Sequence, residues 1–286
     1  MQIVHTLTEL HQALAPFQRR VLVPTMGNLH DGHLALVRKA HTLGDATVVS
    51  IFVNRLQFLP HEDFDTYPRT LQADSEKLRS TGGQIIVFAP SEQELYPQPQ
   101  TFRVQPDPAL ADILEGHFRP GFFTGVCTVV MKLLCAVQPQ VAVFGQKDYQ
   151  QLLILRHMVQ QFALPIEVVG VATQRAADGL ALSSRNSYLD APARQAATAL
   201  SHALQQLATA VQSGRRDWDA LEAQAMQALT QQGWEPDYLT VRRQDNLQPP
   251  TFPSDSQPLP PLVALGAARL GSTRLIDNLE FTAASA

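Results

Sequence analysis

Two histidines at a predicted helix start are the side chains in this sequence best suited to chemistry. The segment His30–His33 (HDGH) follows a short apolar run, Val21–Val23, that is typical of a buried strand. Pro24, Thr25 and Gly27 are expected to break that strand. A strand, a tight turn and a helix start present backbone N–H groups and the positive helix end to an anion. The sequence therefore predicts two imidazoles beside a bound anion, such as a nucleotide phosphate.

The histidine spacing leaves other interpretations open. A histidine at a helix start is often a simple polar cap, and paired histidines can also bind a metal ion. No further Cys or His cluster nearby completes a metal ligand set. The patterns GxxxxGK[ST] and GxGxxG are both absent, so a nucleotide would need a different binding arrangement.

Polar segments also follow two other predicted strands. Asn54–Phe58 comes after Thr47–Val53, and Gly145–Asp148 comes after Val141–Phe144. Ligands of parallel sheets bind outside the carboxyl ends of the strands. We therefore expect these polar segments at one edge of a sheet, together with His30–His33.

Side chains in and near these segments suit a small anionic ligand. Lys147 can meet phosphate oxygens as a point charge, with Asp148 holding it, although an exposed ion pair is the alternative. Gln57 and Gln151 can each make paired hydrogen bonds to a polar substrate, although either is also compatible with a solvated side chain.

Alternating helix and strand patterns predict an α/β fold with a mostly parallel sheet. The predicted helices are Thr6 or Thr8 to Leu14, Asp74–Ser80, Phe123–Val137 and Gln150–Phe162, and the further strands are Gln84–Phe88 and Ile166–Val171. After about residue 173 the pattern changes. Helices are predicted at Ala191–Ser213 and Trp218–Gln232, and strands at Tyr238–Arg242 and Leu262–Ala268, with a Pro-rich loop, Gln248–Pro261, between the strands. We therefore expect a domain of residues 1–173 and a smaller α+β domain of residues 174–286.

Near this predicted boundary stand two hydroxyls and a guanidinium. Ser183, Ser184 and Arg185 can donate to a phosphate, and an Arg fork is well matched to it. A serine pair that caps a helix beside a surface arginine is the alternative interpretation.

Composition excludes several classes of protein. The 286 residues carry a net charge of −4, which does not favour a nucleic-acid groove or an anionic membrane. No apolar run reaches membrane-spanning length, and MQIVHTLTEL lacks the features of a signal peptide, so we expect a cytoplasmic protein. Cys127 and Cys135 fall in one predicted helix, too far apart for a disulfide, and are expected to be buried thiols.

Six linked motifs resemble one known family. In chain order they are PTMGNLHDGHL, FVNxxQF, YPRT, LEGxxRPGxFxGVxTVVxKL, FGxKDYQQ and DGLALSSRN, and LGSTRLIDN follows near the end. Together they closely resemble the pantothenate synthetase (pantoate–β-alanine ligase) family of the HxGH nucleotidyltransferase superfamily. The resemblance covers nearly the whole chain, whereas HxGH alone would indicate only the superfamily.

The resemblance implies a reaction and a set of partners. Such enzymes use ATP and Mg²⁺ to convert (R)-pantoate into pantoyl adenylate, releasing pyrophosphate. The amine of β-alanine then attacks the acyl carbon, which gives pantothenate and AMP. The family fold would be a Rossmann-like domain with a smaller C-terminal lid, usually in a homodimer.

The resemblance also implies roles for individual residues. His33, His30, Lys147 and Arg185 would be catalytic, and Asn54, Gln57 and Gln151 would bind substrate, with β-alanine sharing Gln57. The ATP site would comprise Met26, Gly27, Asn28, Leu29, His30, Asp31, Gly32, His33, Gly145, Gln146, Lys147, Asp148, Gln174, Leu182, Ser183, Ser184 and Arg185. No ligands for Mg²⁺ are implied.

Three positions depart from the family pattern. Arg55 replaces a Pro, which is expected to loosen the loop that carries Gln57. Phe122 replaces a His, whose contribution would be missing or supplied otherwise, and Gln146 replaces a Glu with a mild expected effect. Two alternatives remain: HxGH alone also fits a related nucleotidyltransferase that acts on another acid or phosphate ester, and Arg55 and Phe122 are the only support for an inactive nucleotide-binding homologue.

Overall fold

A six-stranded parallel sheet forms the core of the first part of the chain. The computed structural model describes residues 1–60, 62–250 and 260–283. The strands are β1 Gln2–Val4, β2 Arg20–Thr25, β3 Ala46–Ile51, β4 Ile85–Phe88, β5 Val141–Gly145 and β6 Glu167–Val171. Their order in the sheet is β1-β4-β3-β2-β5-β6, and every neighbouring pair is parallel. The predicted α/β fold with a parallel sheet is therefore confirmed.

Helices follow the strands as a parallel sheet requires. They are α1 Leu7–Leu14, α2 Asp31–His41, α3 Leu71–Arg79, α4 Glu92–Leu95, α5 Pro108–Ala111, α6 Glu115–Phe118, α7 Phe122–Val137 and α8 Tyr149–Gln161. Short 3₁₀ turns cover Arg55–Gln57 and Gln146–Asp148. The cap of α1 is Thr6, one of the two predicted caps, and α3 begins three residues before its predicted start.

The strand β2 differs from its prediction because it continues through Pro24 and Thr25. Thr25 is paired with β3, since its N–H donates to Ser50 Oγ and its carbonyl accepts from the N–H of Phe52. Alternate residues of a parallel strand bond to opposite neighbours, so Pro24 faces β5. The ladder between β2 and β5 ends at Leu22, and the missing N–H of Pro24 therefore costs no ladder bond.

The described residues form two compact units. One comprises Met1–Gln146 and Ile154–Gln174, and the other comprises Lys147–Leu153 and the residues from Arg175 onward. The predicted domain boundary at residue 173 stays a prediction.

The second unit contains an antiparallel sheet packed with helices. Its strands are β7 Trp234–Arg243, β8 Leu262–Leu270 and β9 Thr273–Phe281, and its helices are α9 Ala191–Ala196, α10 Thr198–Gln212 and α11 Trp218–Thr230. A 3₁₀ turn covers Ser184–Tyr188. The predicted helix Ala191–Ser213 is in fact two helices, and β9 was not predicted. Most of the Pro-rich loop, residues 251–259, lies outside the described residues.

The two cysteines of α7 are both free thiols. Cys127 is buried, and burial raises the pKa of its thiol to about 12. The prediction that both are buried was wrong, because Cys135 lies on the exposed side of the helix. None of the helices in the described ranges combines the length and apolarity that crossing a bilayer requires.

Candidate active site

The two histidines cap α2 reciprocally. The N–H of Gly32 donates to His30 Nδ1 at 3.1 Å, and the N–H of His30 donates to His33 Nδ1 at 3.4 Å. The ring centroids lie 4.1 Å apart. A ring nitrogen that accepts a backbone N–H carries no proton, so each neutral imidazole is protonated on Nε2. The capping interpretation and the chemical one are therefore compatible, because capping uses Nδ1 and a donor role would use Nε2–H.

A buried carboxylate shapes the turn between β2 and α2. Gly27 and Asn28 both have positive φ, +83° and +51°. Asp74, on α3, is fully buried, and it accepts from the N–H of Asn28 at 2.9 Å and of Leu29 at 2.7 Å. Thr70 Oγ1 donates to the same carboxylate at 3.0 Å. Asp74 thus fixes the turn, a role that sequence reasoning missed.

The expectation that backbone N–H groups of this turn face an anion needs correction. Five of them donate within the protein, namely those of Gly27, Asn28, Leu29, His30 and Gly32. The physical reason is that a buried turn must satisfy its own donors. Lys77 holds the turn further, since its Nζ donates to the Leu29 carbonyl at 2.7 Å.

A buried amide relay positions Gln57. Asn54 is buried, and its Nδ2 donates to Gln57 Oε1 at 3.0 Å and to the Gly125 carbonyl at 3.2 Å. The hydroxyl of Tyr96 donates to Asn54 Oδ1 at 2.9 Å, and burial raises the pKa of that hydroxyl far above its usual value. Gln57 Nε2 lies 3.3 Å from Met26 Sδ. The structure thereby brings together Asn54, Gln57 and Met26, which come from the segments after β3 and β2.

Close approach of α7 to the Gln57 segment depends on a glycine. A Cβ at Gly125 would lie 2.1 Å from the Leu56 carbonyl oxygen and 2.8 Å from Gln57 Cα. Only a residue without a side chain leaves room for the backbone of Leu56 and Gln57 at this point. Gly125 is therefore a positioning residue for Gln57, although it lies on a different element.

The side chain of Arg119 also holds Gln57 in place, by contacting the Gln57 backbone. Its guanidinium pairs with the Glu62 carboxylate at 2.7 and 2.9 Å, with both side chains less than one fifth exposed, and donates to the Gln57 carbonyl at 3.2 Å. The guanidinium carbon lies 3.7 Å from the ring centroid of Phe122. The phenylalanine that replaces the family histidine thus supplies a cation–π contact.

Arg55 was expected to loosen its loop, yet its side chain contacts two neighbouring residues. Its Nε donates to Glu92 Oε1 at 3.1 Å, and its guanidinium carbon lies 3.9 Å from the Phe64 ring centroid. The ion pair is about half exposed and adds little stability by itself. Arg55 thus joins its loop to Glu92 and to Phe64.

In the second unit, Lys147 and Ser183 line one small cavity of about 10 Å³, the size of a single water molecule. Asn186 and Asp277 line the same cavity, and Asn186 Oδ1 has no hydrogen-bond partner among the described residues. The hydroxyl of Ser183 caps the following turn by accepting from the N–H of Arg185 at 3.3 Å. Two predicted ATP segments, around residues 147 and 183, therefore adjoin each other.

The other predicted residues occupy less informative places. Gly145 ends β5, Gln146 begins a 3₁₀ turn, Asp148 is exposed and Gln151 lies in the first turn of α8. Asp31 is exposed at the start of α2, and Gln174 is exposed with its Nε2 donating to the Ala172 carbonyl. Leu182, Ser184 and Arg185 are partly buried. His30, His33 and Gln57 belong to one unit, whereas Lys147, Gln151 and Arg185 belong to the other. That residues of both units bind one ligand stays a prediction.

The fold and the histidine pair define a class of protein: a parallel α/β protein with paired imidazoles at the helix after its central strand. The chain belongs to the pantoate-beta-alanine ligase family, whose pattern matches residues 2–280. The family predicted from the sequence motifs is confirmed.

Relatives of known name agree over the full length. Pantothenate synthetase of Leptothrix cholodnii is 66% identical, with 98% of this chain and 100% of the relative covered. The crystal structure of the enzyme from Thermus thermophilus is 44% identical with a TM-score of 0.89, covering 98% and 99% of the two chains. A pantoate-beta-alanine ligase from Francisella tularensis, solved in complex with beta-gamma ATP and beta-alanine, is 31% identical with a TM-score of 0.81, covering 98% and 97%.

Proposed function

We propose that this chain joins pantoate to β-alanine to make pantothenate, with ATP as a substrate. The family match over residues 2–280 and the full-length relatives support this reaction. They do not favour a nucleotidyltransferase for another acid or an inactive homologue. The observation that carries the proposal is that the histidine pair and the Asn54–Gln57 pair follow adjacent parallel strands, at the same edge of the sheet.

The chemistry proceeds in two balanced steps. The carboxylate of (R)-pantoate attacks the α-phosphorus of ATP, and the bond to the β-phosphate oxygen breaks to release pyrophosphate. The amine of β-alanine then attacks the acyl carbon of pantoyl adenylate, loses a proton and displaces AMP. Both steps need positioning and charge stabilisation, and neither needs a covalent nucleophile on the protein.

Four side chains of this chain suit the charge that develops in the first step. Negative charge grows on the phosphoryl oxygens and on the departing pyrophosphate. The Nε2–H groups of His30 and His33 can donate to these oxygens, and Lys147 and Arg185 bring full positive charges. The full set of ATP contacts is proposed at Met26–His33, Gly145–Asp148, Gln174 and Leu182–Arg185.

The amide relay suits a small hydroxy acid. Gln57 Nε2 can donate to hydroxyl and carboxylate oxygens, and Asn54, whose two Nδ2 hydrogens go to Gln57 and to the Gly125 carbonyl, fixes the orientation of that amide. We assign pantoate to Gln57 and Gln151, with Asn54 acting through Gln57, and we assign β-alanine to Gln57 as well.

Mg²⁺ is proposed as the partner of the ATP phosphates. No group of three or more His, Cys, Asp or Glu in the described ranges is placed to hold a metal ion. Asp74 is unsuitable, because its two oxygens already accept from backbone N–H groups. Mg²⁺ commonly binds through substrate phosphates and one or two carboxylates, so this chain fits an ion that arrives with ATP. Bound there, it would neutralise phosphate charge.

We also propose a cytoplasmic homodimer in which residues 174–286 act as a lid domain. A lid has a clear purpose, because pantoyl adenylate is labile to water. The free thiols of Cys127 and Cys135 are compatible with a reducing compartment. Sedimentation of the purified protein tests the dimer, and a monomer across the micromolar range would contradict it.

Release of pyrophosphate tests the proposed reaction. We expect release with ATP and pantoate alone, and AMP and pantothenate only when β-alanine is added. His33→Ala is expected to abolish the adenylation step while leaving the fold intact. His202→Ala, on the exposed side of α10, is the matched control and should behave as wild type. Near-wild-type turnover of His33→Ala would refute the role assigned to His33.

A further inference from the structure

Two consecutive polar residues of β9 are buried and reach two different segments of the second unit. Asp277 accepts from Arg175 Nη1 at 2.7 Å and from Nη2 at 2.8 Å. Asn278 Nδ2 donates to the backbone carbonyl of Lys147 at 2.8 Å. A single strand thus anchors the segments that begin at Lys147 and at Arg175.

Arg175 begins the hairpin that carries the Ser-Ser-Arg segment. An isolated antiparallel β-bridge pairs Arg175 with Ala181, and Arg175 Nη1 also donates to the Gly179 carbonyl at 3.0 Å. Its Nη2 donates in addition to the Asn278 carbonyl at 3.0 Å. The hairpin passes directly into Leu182–Arg185, so the position of this segment depends on where Arg175 is held.

The anchored segments adjoin each other beside β9. The small cavity defined above is lined by Lys147, Ser183 and Asp277 together. A lysine side chain is long and flexible, so its ammonium acts at a fixed place only if its backbone is fixed. The hydrogen bond from Asn278 to the Lys147 carbonyl supplies that restraint.

We propose that Asp277 and Asn278 are positioning residues that hold Lys147 and the segment Leu182–Arg185 at a fixed spacing, so that both act on one ATP phosphate chain. The inference rests on the proposed function, because it takes Lys147 and Arg185 as phosphate contacts. Asn278 acts on the Lys147 backbone, and Asp277 acts on the hairpin through Arg175. Neither residue is required to touch the nucleotide.

Near-isosteric variants test the inference. Asn278→Asp replaces a donor by an acceptor that faces the Lys147 carbonyl, and Asp277→Asn removes the charge that pairs with Arg175. We expect the KM for ATP to rise about tenfold in each, the effect of losing one well-formed hydrogen bond, with the KM for pantoate unchanged. Asn278→Ala is the second variant, in case Asn278→Asp fails to fold.

A matched control separates positioning from general stability. Asp237 pairs with Arg274 on the same sheet, at 2.7 Å and with both side chains less than one fifth exposed. Asp237→Asn should lower the unfolding temperature in a similar way and leave both KM values unchanged. The double variant Lys147→Ala with Asn278→Ala should be no worse for ATP than Lys147→Ala alone.

The outcomes distinguish the inference from the function. If Lys147→Ala keeps wild-type kinetics, the proposed role of Lys147 fails and the inference fails with it. If Lys147→Ala is impaired but the Asp277 and Asn278 variants match Asp237→Asn, only the inference is overturned. A selective rise in the KM for ATP in both variants supports it, provided that the effect of Asn278→Ala disappears in the Lys147→Ala background.

Discussion

Replacement of Gly125 by alanine should damage catalysis through the position of Gln57. The new Cβ would lie 2.1 Å from the Leu56 carbonyl oxygen, and real Cβ contacts are essentially never shorter than 3.0 Å. The gap must therefore open by about 0.9 Å. Helix α7 is buried over most of its length, so the 3₁₀ turn Arg55–Gln57 is the part that moves. That movement should also lengthen the hydrogen bond from Asn54 Nδ2 to the Gly125 carbonyl.

A displacement of this size has a large expected effect. Misplacing a binding group by about 1 Å can cost about 10²-fold in rate, which corresponds to about 2.7 kcal/mol of transition-state stabilisation. We expect kcat/KM for pantoate to fall by about this factor. The KM for ATP should change much less. Alanine is the better helix former by about 1 kcal/mol, which partly offsets the strain in the folded protein.

Steady-state kinetics and thermal unfolding together test this prediction. Gly44→Ala is the matched control, because its Cβ would lie 2.3 Å from the Arg19 carbonyl oxygen, at the opposite edge of the sheet. We expect Gly44→Ala to lower stability without a selective effect on pantoate. The reasoning is refuted if folded Gly125→Ala keeps kcat/KM for pantoate within about twofold of wild type, a difference far below the expected 10²-fold effect.

Three further predictions concern the supports of the site and pH. Asp74→Asn turns a carboxylate that accepts two backbone N–H groups into an amide that also donates. Urea unfolding should therefore show that the free energy of unfolding falls by about 1–3 kcal/mol, and kcat should fall as well. Unchanged values would show that the turn keeps its conformation without Asp74. Glu62→Gln leaves the Arg119 guanidinium half-paired beside the Gln57 carbonyl, so the KM for pantoate should rise several-fold, and an unaltered KM would contradict this. Burial lowers the pKa of His41 below its usual 6.5, so the unfolded chain binds the proton more readily. The stability that His41 contributes is therefore complete above about pH 6.5 and lost as pH falls through the unfolded and then the folded pKa. In urea unfolding at about pH 7.5 and about pH 5.5, His41→Gln should reduce that loss, and equal losses would exclude His41 as the cause.

The parallel sheet was predictable because local signals agreed with the fold. Continuous β-branched runs such as Thr47–Val53 are typical of strands covered on both faces, and such strands are buried in a parallel sheet. The polar residues that follow them then had to meet at one edge. The strand β9 was harder, because Arg274, Asp277 and Glu280 interrupt its apolar pattern. Two of these charged residues, Arg274 and Asp277, are accommodated by ion pairs that only the folded chain reveals.

The supporting residues of the site were not predictable from spacing. Asp74 is an ordinary acidic residue of a short helix by its sequence context, and its burial depends on the turn forty-five residues away that it holds. Gly125 is likewise one glycine in an apolar helix until the carbonyl of Leu56 is placed beside it. Arg55 and Phe122 were read as losses, yet both make guanidinium–ring contacts. Such roles arise from tertiary contacts and leave no periodic signal in the sequence.

The brief ladder between β2 and β5 gives the large sheet a seam. Only Val21 and Leu22 are paired across it, whereas β2 is paired with β3 along all six of its residues. Beyond Leu22, toward the edge where the histidine segment and Gly145 follow their strands, β2 and β5 are not paired. Pro24 has no amide hydrogen that could extend the pairing. A ligand lying across that edge would cross-link the two halves of the sheet where the backbone does not. If the proposed ATP contacts after β2 and β5 are correct, we expect bound ATP to bridge the two strands beyond the point where their pairing ends.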